Sequence, residues 1–160
     1  MAKIIDGKKI AAETRKDIAE RAARFTAEHG FAPGLAVIIV GEDPASQVYV
    51  RNKKKACEEV GFYSQVYEMP AETTMDELLG KIATLKNDTK IHGILVQLPL
   101  PKHLDEKAVI AAIPPEKDVA TGSSSFDAKP SSIAHFIILS EQENPSLKYS
   151  TALINELLFT

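Results

Sequence analysis

The sequence of 160 residues has little cysteine and no long apolar run, and both absences limit what it can be. Cys57 is the single cysteine, so no internal disulfide can form, which favours a reducing compartment. No apolar run approaches the roughly 20 residues that a membrane-spanning helix needs. A signal peptide is not expected, because Asp6, Lys8 and Lys9 interrupt any apolar core at the N-terminus. We therefore expect a soluble cytoplasmic protein with no membrane partner.

The sequence also lacks the short motifs of several ligand classes. Its 8 glycines form neither GxGxxG nor a P-loop, so no nucleotide cradle is predicted. Its 4 histidines have no metal-ligand spacing, so we expect no metal site. A net charge of -3 argues against nucleic acid as a partner, since nucleic-acid-binding domains usually carry a basic excess. What remains is an ordinary globular composition with a hydrophobic fraction of 44%.

Apolar runs alternate with helix signals over the first three quarters of the chain. Strands are predicted at Gly34–Gly41, Phe62–Met69 and Ile91–Leu98. Helices are predicted at Lys8–His29, from the N-cap Asp43 to Gly61, from Thr73 or Thr74 to about Leu85, and at Asp105–Ala112. This order predicts an α/β fold with three α-β-α layers and a mostly parallel sheet. Parallel strands would bring the ends of the first and third strands to one edge.

The character of the sequence changes after Asp118. Residues 120–160 are rich in serine and have no clear periodicity. We predict a flexible segment at 120–132, one strand at Ile133–Leu139 and a short helix at Ala152–Phe159. Residues 1–119 therefore form one expected domain, and residues 120–160 form an atypical, partly flexible tail.

Tyr49 and Lys53 lie four residues apart on the helix that follows the first strand, so they share a face. That position is near the carboxyl edge of the sheet, where α/β proteins usually bind ligands. A lysine near a helix start and beside other cations has a lowered pKa and can transfer protons. Lys53 also belongs to the basic run 51–55, which could simply be a solvated helix face. Tyr49 could stack on a ligand ring or be an ordinary, partly buried tyrosine.

Gln97 ends the otherwise apolar third strand. A strand-end amide in this position would face the cleft, or it would bond to backbone groups of its own loop. The residues that follow, Leu98, Pro99, Leu100 and Pro101, would form a rigid ledge that presents backbone carbonyl groups to a ligand.

Taken together, the chain resembles the bifunctional methylenetetrahydrofolate dehydrogenase/methenyltetrahydrofolate cyclohydrolase family. The resemblance covers residues 1–119, the N-terminal catalytic domain, a lobe similar to that of amino-acid dehydrogenases. It is carried by four segments in the family order: IIDGKKIA, PGLAVIIVGEDPASQVYVRNKKKACEEVGF, GILVQLPLP and PPEKDV.

The resemblance implies a folate substrate and a role for each matching residue. Lys53 would be the catalytic lysine that assists water addition in the cyclohydrolase step. Gln97 would hold that lysine in a productive state, and Tyr49 would pack against the folate ring. Ser46 would support the loop at the head of the same helix. Leu98 and Pro99 would form part of the substrate-binding wall of the cleft.

Two departures from the family pattern bear on activity. Family members read KDVDG, where the second aspartate anchors the pterin. Here Asp118 matches the first aspartate and is a candidate substrate-binding residue, and Ala120 replaces the second aspartate. Residues 120–160 resemble nothing in the family's NADP-binding lobe, so we expect this chain to bind no cofactor, although the full-length family uses NADP. A frameshift, an alternative reading or a fusion would each produce such a tail. The expected function is an impaired folate-binding catalytic domain; the alternative is a non-catalytic remnant or a dimerisation module.

Overall fold

A computed structural model describes residues 7–119, with side chains from residue 12 onward. Within these residues the strands are β1 (Gly34–Val40), β2 (Tyr63–Met69) and β3 (Gly93–Val96). The helices are α1 (Gly7–His29), α2 (Pro44–Glu59), α3 (Met75–Asn87) and α4 (Glu106–Ala112), and a 3-10 turn follows at Pro115–Lys117. The strand predicted at Ile133–Leu139, the helix predicted at Ala152–Phe159 and the flexible segment predicted at 120–132 lie outside the described residues.

The three strands form one parallel sheet in the order β2-β1-β3. Gly34 pairs with Tyr63 at one end of β1, and Val40 pairs with Met69 at the other. On the opposite side of β1, Ile38 pairs with Val96. The carboxyl ends of β1 and β3 therefore lie together, as the order of helices and strands predicted.

Alternate residues of β1 face two separate cores. Leu35, Val37 and Ile39 belong to a cluster that includes Ile18 of α1 and Val50 of α2. The intervening residues of β1 pack in a second cluster with residues of α3 and α4: Ala36, Ile38, Val40, Leu78, Ile82, Leu85 and Val109. A strand buried on both faces needs helices on both sides. The predicted three-layer α/β architecture is confirmed.

The predicted element boundaries differ from the observed ones mainly at loop entries. β1 ends at Val40 because Gly41 has a φ of 86°, a left-handed conformation that ends the extended strand. β3 begins at Gly93 and ends at Val96, shorter than the predicted Ile91–Leu98. The flanking residues still bond to β1, since His92 N donates to Gly34 O and Gln97 N donates to Ile38 O, each at 2.8 Å.

Candidate functional site

The candidate site lies at the carboxyl edge of the sheet, where β3 ends beside β1. The backbone N–H of Gln97 donates to the carbonyl oxygen of Ile38 at 2.8 Å, which fixes the first residue after β3 against the central strand. The edge of a parallel sheet is the usual ligand position in such folds. Gln97 is thus placed at this edge by backbone pairing rather than by its own side chain.

Helix α2 is positioned by a side-chain cap at its first turn. The carboxylate of Asp43 accepts a hydrogen bond from the N–H of Ser46 at 2.8 Å, and Pro44 occupies the first helical turn. Hydrogen bonds from the Ser46 hydroxyl and backbone lower the pKa of Asp43 below its ordinary value. Ser46 is buried, and its N–H joins the first turn of α2 to Asp43 in the loop that follows β1.

Lys53 lies on the buried stripe of α2. Val50 and Cys57, three residues before and four residues after it, are both buried in the core beneath the helix. This position gives Lys53 an apolar neighbourhood, whereas the adjacent Lys54 and Lys55 are exposed. The basic run is therefore not uniform: one of its lysines is half-buried and the next two form a solvated face.

The Nζ of Lys53 donates a hydrogen bond to Oε1 of Gln97 at 3.0 Å. Partial burial lowers the pKa of Lys53 below its ordinary value of 10.5. The same direction was expected from the sequence, and here the cause is loss of solvent on burial. A lysine with a lowered pKa, held by a neutral acceptor, can exchange protons with a bound reactant.

The segment after Gln97 forms a ledge beside this pair. The Nε2 of Gln97 donates to the carbonyl oxygen of Leu98 at 2.7 Å, so both ends of the amide are engaged. The Leu98–Pro99 peptide bond is cis. Leu98 is half-buried against the core beneath α3 and α4, while Pro99 is exposed at the surface of the ledge. Lys53, Gln97 and Leu98 thus form one hydrogen-bonded series.

Tyr49 and Asp118 occupy different positions relative to this series. The side chain of Tyr49 is 61% exposed and lies one helical turn before Lys53, where its ring is accessible to a ligand. Asp118 is half-buried and forms a parallel bridge with Ile94, three residues before Gln97. About 10 Å of strand separates Ile94 from Gln97. Asp118 therefore lies beside the middle of β3, away from the Lys53–Gln97 contact.

Two features of the site are additional to those predicted from the sequence. The first has a sequence signal: Val50, Lys53 and Cys57 have helical spacing, which places Lys53, unlike Lys54 and Lys55, on an otherwise apolar stripe. Glu106 was not singled out, yet its Oε1 accepts a hydrogen bond from the N–H of Leu100 in the ledge at 3.0 Å. No local sequence pattern marks that second contact.

The described part of the chain offers no competing metal centre or membrane segment. Among its side chains no three of His, Cys, Asp and Glu converge in a way that could hold a metal ion. No helix within it is both long enough and apolar enough to cross a bilayer.

Residues 5–120 match the family model described as tetrahydrofolate dehydrogenase/cyclohydrolase, catalytic domain. Among curated proteins, the chain is 65% identical over 118 residues to the bifunctional protein FolD of Moorella thermoacetica, covering 74% of this chain and 42% of that protein. The corresponding protein of Cupriavidus pinatubonensis is 61% identical over 118 residues, with 74% and 41% covered.

Solved structures show the same likeness. The bifunctional FolD enzyme of Campylobacter jejuni has a TM-score of 0.69 and 45% identity, covering 71% of this chain and 40% of that one. The Trypanosoma brucei enzyme, solved with NADP and an inhibitor, has a TM-score of 0.70 and 39% identity, with 74% and 40% covered. This chain spans about 40% of the length of such relatives. Since the family model matches well over half of it, the chain belongs to the tetrahydrofolate dehydrogenase/cyclohydrolase family and carries its catalytic domain.

Proposed function

We propose that this chain binds a reduced folate at the carboxyl edge of the sheet and promotes hydrolysis of 5,10-methenyltetrahydrofolate to 10-formyltetrahydrofolate. The observation that carries the proposal is the half-buried Lys53, whose Nζ donates to Gln97 Oε1 at 3.0 Å. The lowered pKa of Lys53 increases the neutral amine fraction near pH 7. A neutral amine can accept a proton from the water that adds to the methenyl carbon.

The remaining site residues have supporting roles in this proposal. The exposed ring of Tyr49 would stack on the folate ring system, as family resemblance implies. Leu98 and Pro99 would form the wall beside the ligand. Asp118, the notional partner of the substrate in the family pattern, bridges to Ile94 and would hold the segment after the 3-10 turn against β3, below the site.

Hydride transfer to NADP is not proposed for this chain. A common site for a pyrophosphate is a helix N-terminus with free backbone N–H groups. At the start of α2 the Asp43 carboxylate already accepts from the N–H of Ser46, and its negative charge would repel a phosphate. The start of α2 is therefore a poor site for the pyrophosphate of a dinucleotide. The hydrolysis step needs no nicotinamide.

Calorimetric titration of the whole chain with a tetrahydrofolate analogue tests binding, and loss of the methenyl chromophore tests hydrolysis. We expect the intact chain to bind and to hydrolyse, and Lys53→Ala to lose about 100-fold to 10000-fold in hydrolysis rate, the usual contribution of a general acid or base. Lys54→Ala is the matched control, because this lysine is exposed and adjacent in sequence. Equal rates for wild type and Lys53→Ala, or no folate binding by a folded wild-type chain, would refute the proposal.

A non-catalytic binding domain is the second candidate, and the observation that favours it is Ala120 in place of the family's second aspartate. Losing one charge-assisted hydrogen bond to a buried ligand costs a few kcal/mol, which weakens binding by orders of magnitude. The variant Ala120→Asp separates the two candidates. Stronger binding and faster hydrolysis than in the wild type would identify a catalytic site weakened by one substitution, whereas inactivity of both the wild type and the folded variant favours the non-catalytic domain.

We further propose a cytoplasmic homodimer that acts in one-carbon metabolism, where 10-formyltetrahydrofolate serves purine biosynthesis. This proposal rests on the family resemblance. Sedimentation equilibrium of the whole chain at several concentrations tests the assembly. A single monomeric mass at all concentrations would contradict it.

A further inference from the structure

The ledge beside the Lys53–Gln97 pair has few backbone N–H donors. Positions 99 and 101 are prolines, which have no backbone N–H. Leu100 therefore supplies the only backbone N–H between residues 99 and 101. Its side chain is buried in the core beneath α3 and α4, so the residue cannot rotate outward without leaving that core.

That single N–H is engaged by a side chain from another element. Oε1 of Glu106, in the first turn of α4, accepts from the N–H of Leu100 at 3.0 Å. The contact is partly buried and crosses six residues of chain. A second contact joins the same region to the loop before α3, where the His103 ring nitrogen Nε2 lies 2.8 Å from the carbonyl oxygen of Thr73.

The ledge in turn is bonded to the reactive pair. Gln97 Nε2 donates to Leu98 O at 2.7 Å, and Gln97 Oε1 accepts from Lys53 Nζ at 3.0 Å. A displacement of residues 98–100 would move the carbonyl group that orients the Gln97 amide. The amide would then be free to rotate away from the lysine. Glu106 is thus connected to Lys53 through three hydrogen bonds and the ledge between them.

We propose that Glu106 is a positioning residue for the folate site: it holds the 98–100 ledge through Leu100 N–H and thereby fixes the Gln97 amide on Lys53. This inference rests on the proposed function for its effect on catalysis, but the positioning itself is a property of the folded chain without ligand. An acceptor oxygen at the distance of the glutamate Oε1 is the required feature, and its negative charge is not.

Three substitutions of Glu106 distinguish the effect of its hydrogen bond to Leu100 from the effect of its negative charge in the first turn of α4. Glu106→Gln keeps an acceptor at the same distance but has no charge. Glu106→Asp keeps the charge in the first turn of α4, but its side chain is one methylene shorter and does not reach Leu100. Glu106→Ala removes both features. Lys107→Ala, an exposed neighbour on the same helix, is the matched control.

The ligand-free readout is the mobility of the Gln97 side-chain amide, measured by nitrogen-15 relaxation on the whole chain. We expect increased mobility in Glu106→Asp and Glu106→Ala and wild-type behaviour in Glu106→Gln and Lys107→Ala. The second readout is affinity for a tetrahydrofolate analogue. We expect it to fall about tenfold or more in the Asp and Ala variants, as loss of one well-placed hydrogen bond implies, and by less than about threefold in the Gln variant.

The two readouts keep the positioning role and the proposed function distinguishable. If the wild type binds no folate while the Asp variant still mobilises the Gln97 amide, the positioning role stands and the proposed function fails. If the Gln97 amide of a folded Glu106→Asp variant has the same mobility as in the wild type, the positioning role is wrong, whatever the folate affinity. A Gln variant that behaves like the Ala variant would likewise overturn it, since charge rather than the acceptor would then be decisive. If the Ala variant does not fold, the Asp and Gln variants still decide the question.

Discussion

Burial changes the chemistry of single side chains in this domain. Lys53 has a lowered pKa because it lies on the packed stripe of α2. His92 is a second case, on the opposite edge of the sheet. Its Nδ1 accepts from the N–H of Gly34 at 2.9 Å, and its ring stacks on Phe31 with 5.2 Å between centroids. The imidazole must be neutral at Nδ1 to accept this hydrogen bond.

The first prediction concerns acid stability. Burial, followed by the positive charge of Lys117, lowers the pKa of His92 from 6.5 to about 4, while Asp88 acts in the opposite direction. Between these two pH values the unfolded chain binds a proton that the folded chain does not. The contribution of the neutral His92 to the free energy of unfolding should therefore be fully present above pH 6.5. The free energy of unfolding should then decrease by up to roughly 3 kcal/mol as the pH decreases to about 4.

Urea denaturation between pH 7 and pH 4 measures this dependence. His92→Asn is the control, because its amide oxygen can accept from the N–H of Gly34 without titrating. The variant should lose part of the pH dependence in this window. An unchanged slope would show that other groups control acid stability.

A second residue-scale prediction concerns the space at Gly34. A β-carbon at this position would collide with the backbone carbonyl oxygen of Lys90, which cannot move freely. Gly34→Ala should lower the free energy of unfolding by about 1–3 kcal/mol, the usual range for overpacking, or more. Gly80→Ala is the matched control, since Gly80 lies inside α3 with open space around it. The free energy of unfolding of Gly80→Ala should increase by up to about 1 kcal/mol. Equal stability of the two variants by thermal denaturation would contradict this.

At the scale of elements, the helices are fixed by contacts at their ends. Helix α3 begins with a reciprocal capping box between Thr74 and Glu77. At its other end, Lys117 Nζ donates to the carbonyl oxygens of Leu85 and Asp88 at 3.1 and 2.9 Å. This buried lysine joins the end of α3 to the turn that precedes the last described residues. Its pKa is lowered chiefly by burial.

The capping box gives the third prediction. Thr74→Ala should destabilise the domain by about 1 kcal/mol, because the N–H of Glu77 loses its side-chain acceptor. Thr74→Ser keeps a hydroxyl oxygen and should stay close to the wild type. Chemical denaturation of both variants measures the difference. If the Ser and Ala variants lose the same amount, the capping hydroxyl contributes nothing and the threonine methyl group is responsible.

For the whole molecule, β1 is the element on which both cores depend. All seven of its residues are buried, and it pairs with β2 on one side and β3 on the other. Its amide groups can exchange with solvent only when both cores open.

The fourth prediction is therefore a pattern of hydrogen exchange. Amide protons of β1 should exchange at the rate set by global unfolding, whereas those of the outer strand β2, all seven of whose side chains are partly or fully exposed, should include faster sites. Native-state hydrogen exchange in low denaturant tests this. Faster exchange in β1 than in β2 would show that the central strand opens independently and that the two cores are not one cooperative unit.

The sequence predicted the type and order of the helices and strands more accurately than their first and last residues. The β1 signal was clear because a run of seven buried residues has β-branched side chains and ends at a glycine. β3 proved shorter than predicted, because the flanking residues His92 and Gln97 bond to β1 by single contacts rather than by a continuous ladder. Residues that share a helix, such as Tyr49 and Lys53, could be placed on one face from spacing alone.

The sequence by itself determined the α/β class, the family and the presence of a lysine beside a strand end. These depend on local periodicity, capping residues and motifs that are continuous along the chain. The resemblance implied that Gln97 holds Lys53, but only the tertiary structure shows the hydrogen bond between these residues, 44 positions apart, and the bond of Glu106 to Leu100 in the ledge. Such contacts depend on how α2 and α4 pack against the sheet, and this packing is a property of the whole core. Local sequence patterns do not specify how these helices pack against the sheet, so the contacts that define the chemistry of the site are determined by the tertiary structure.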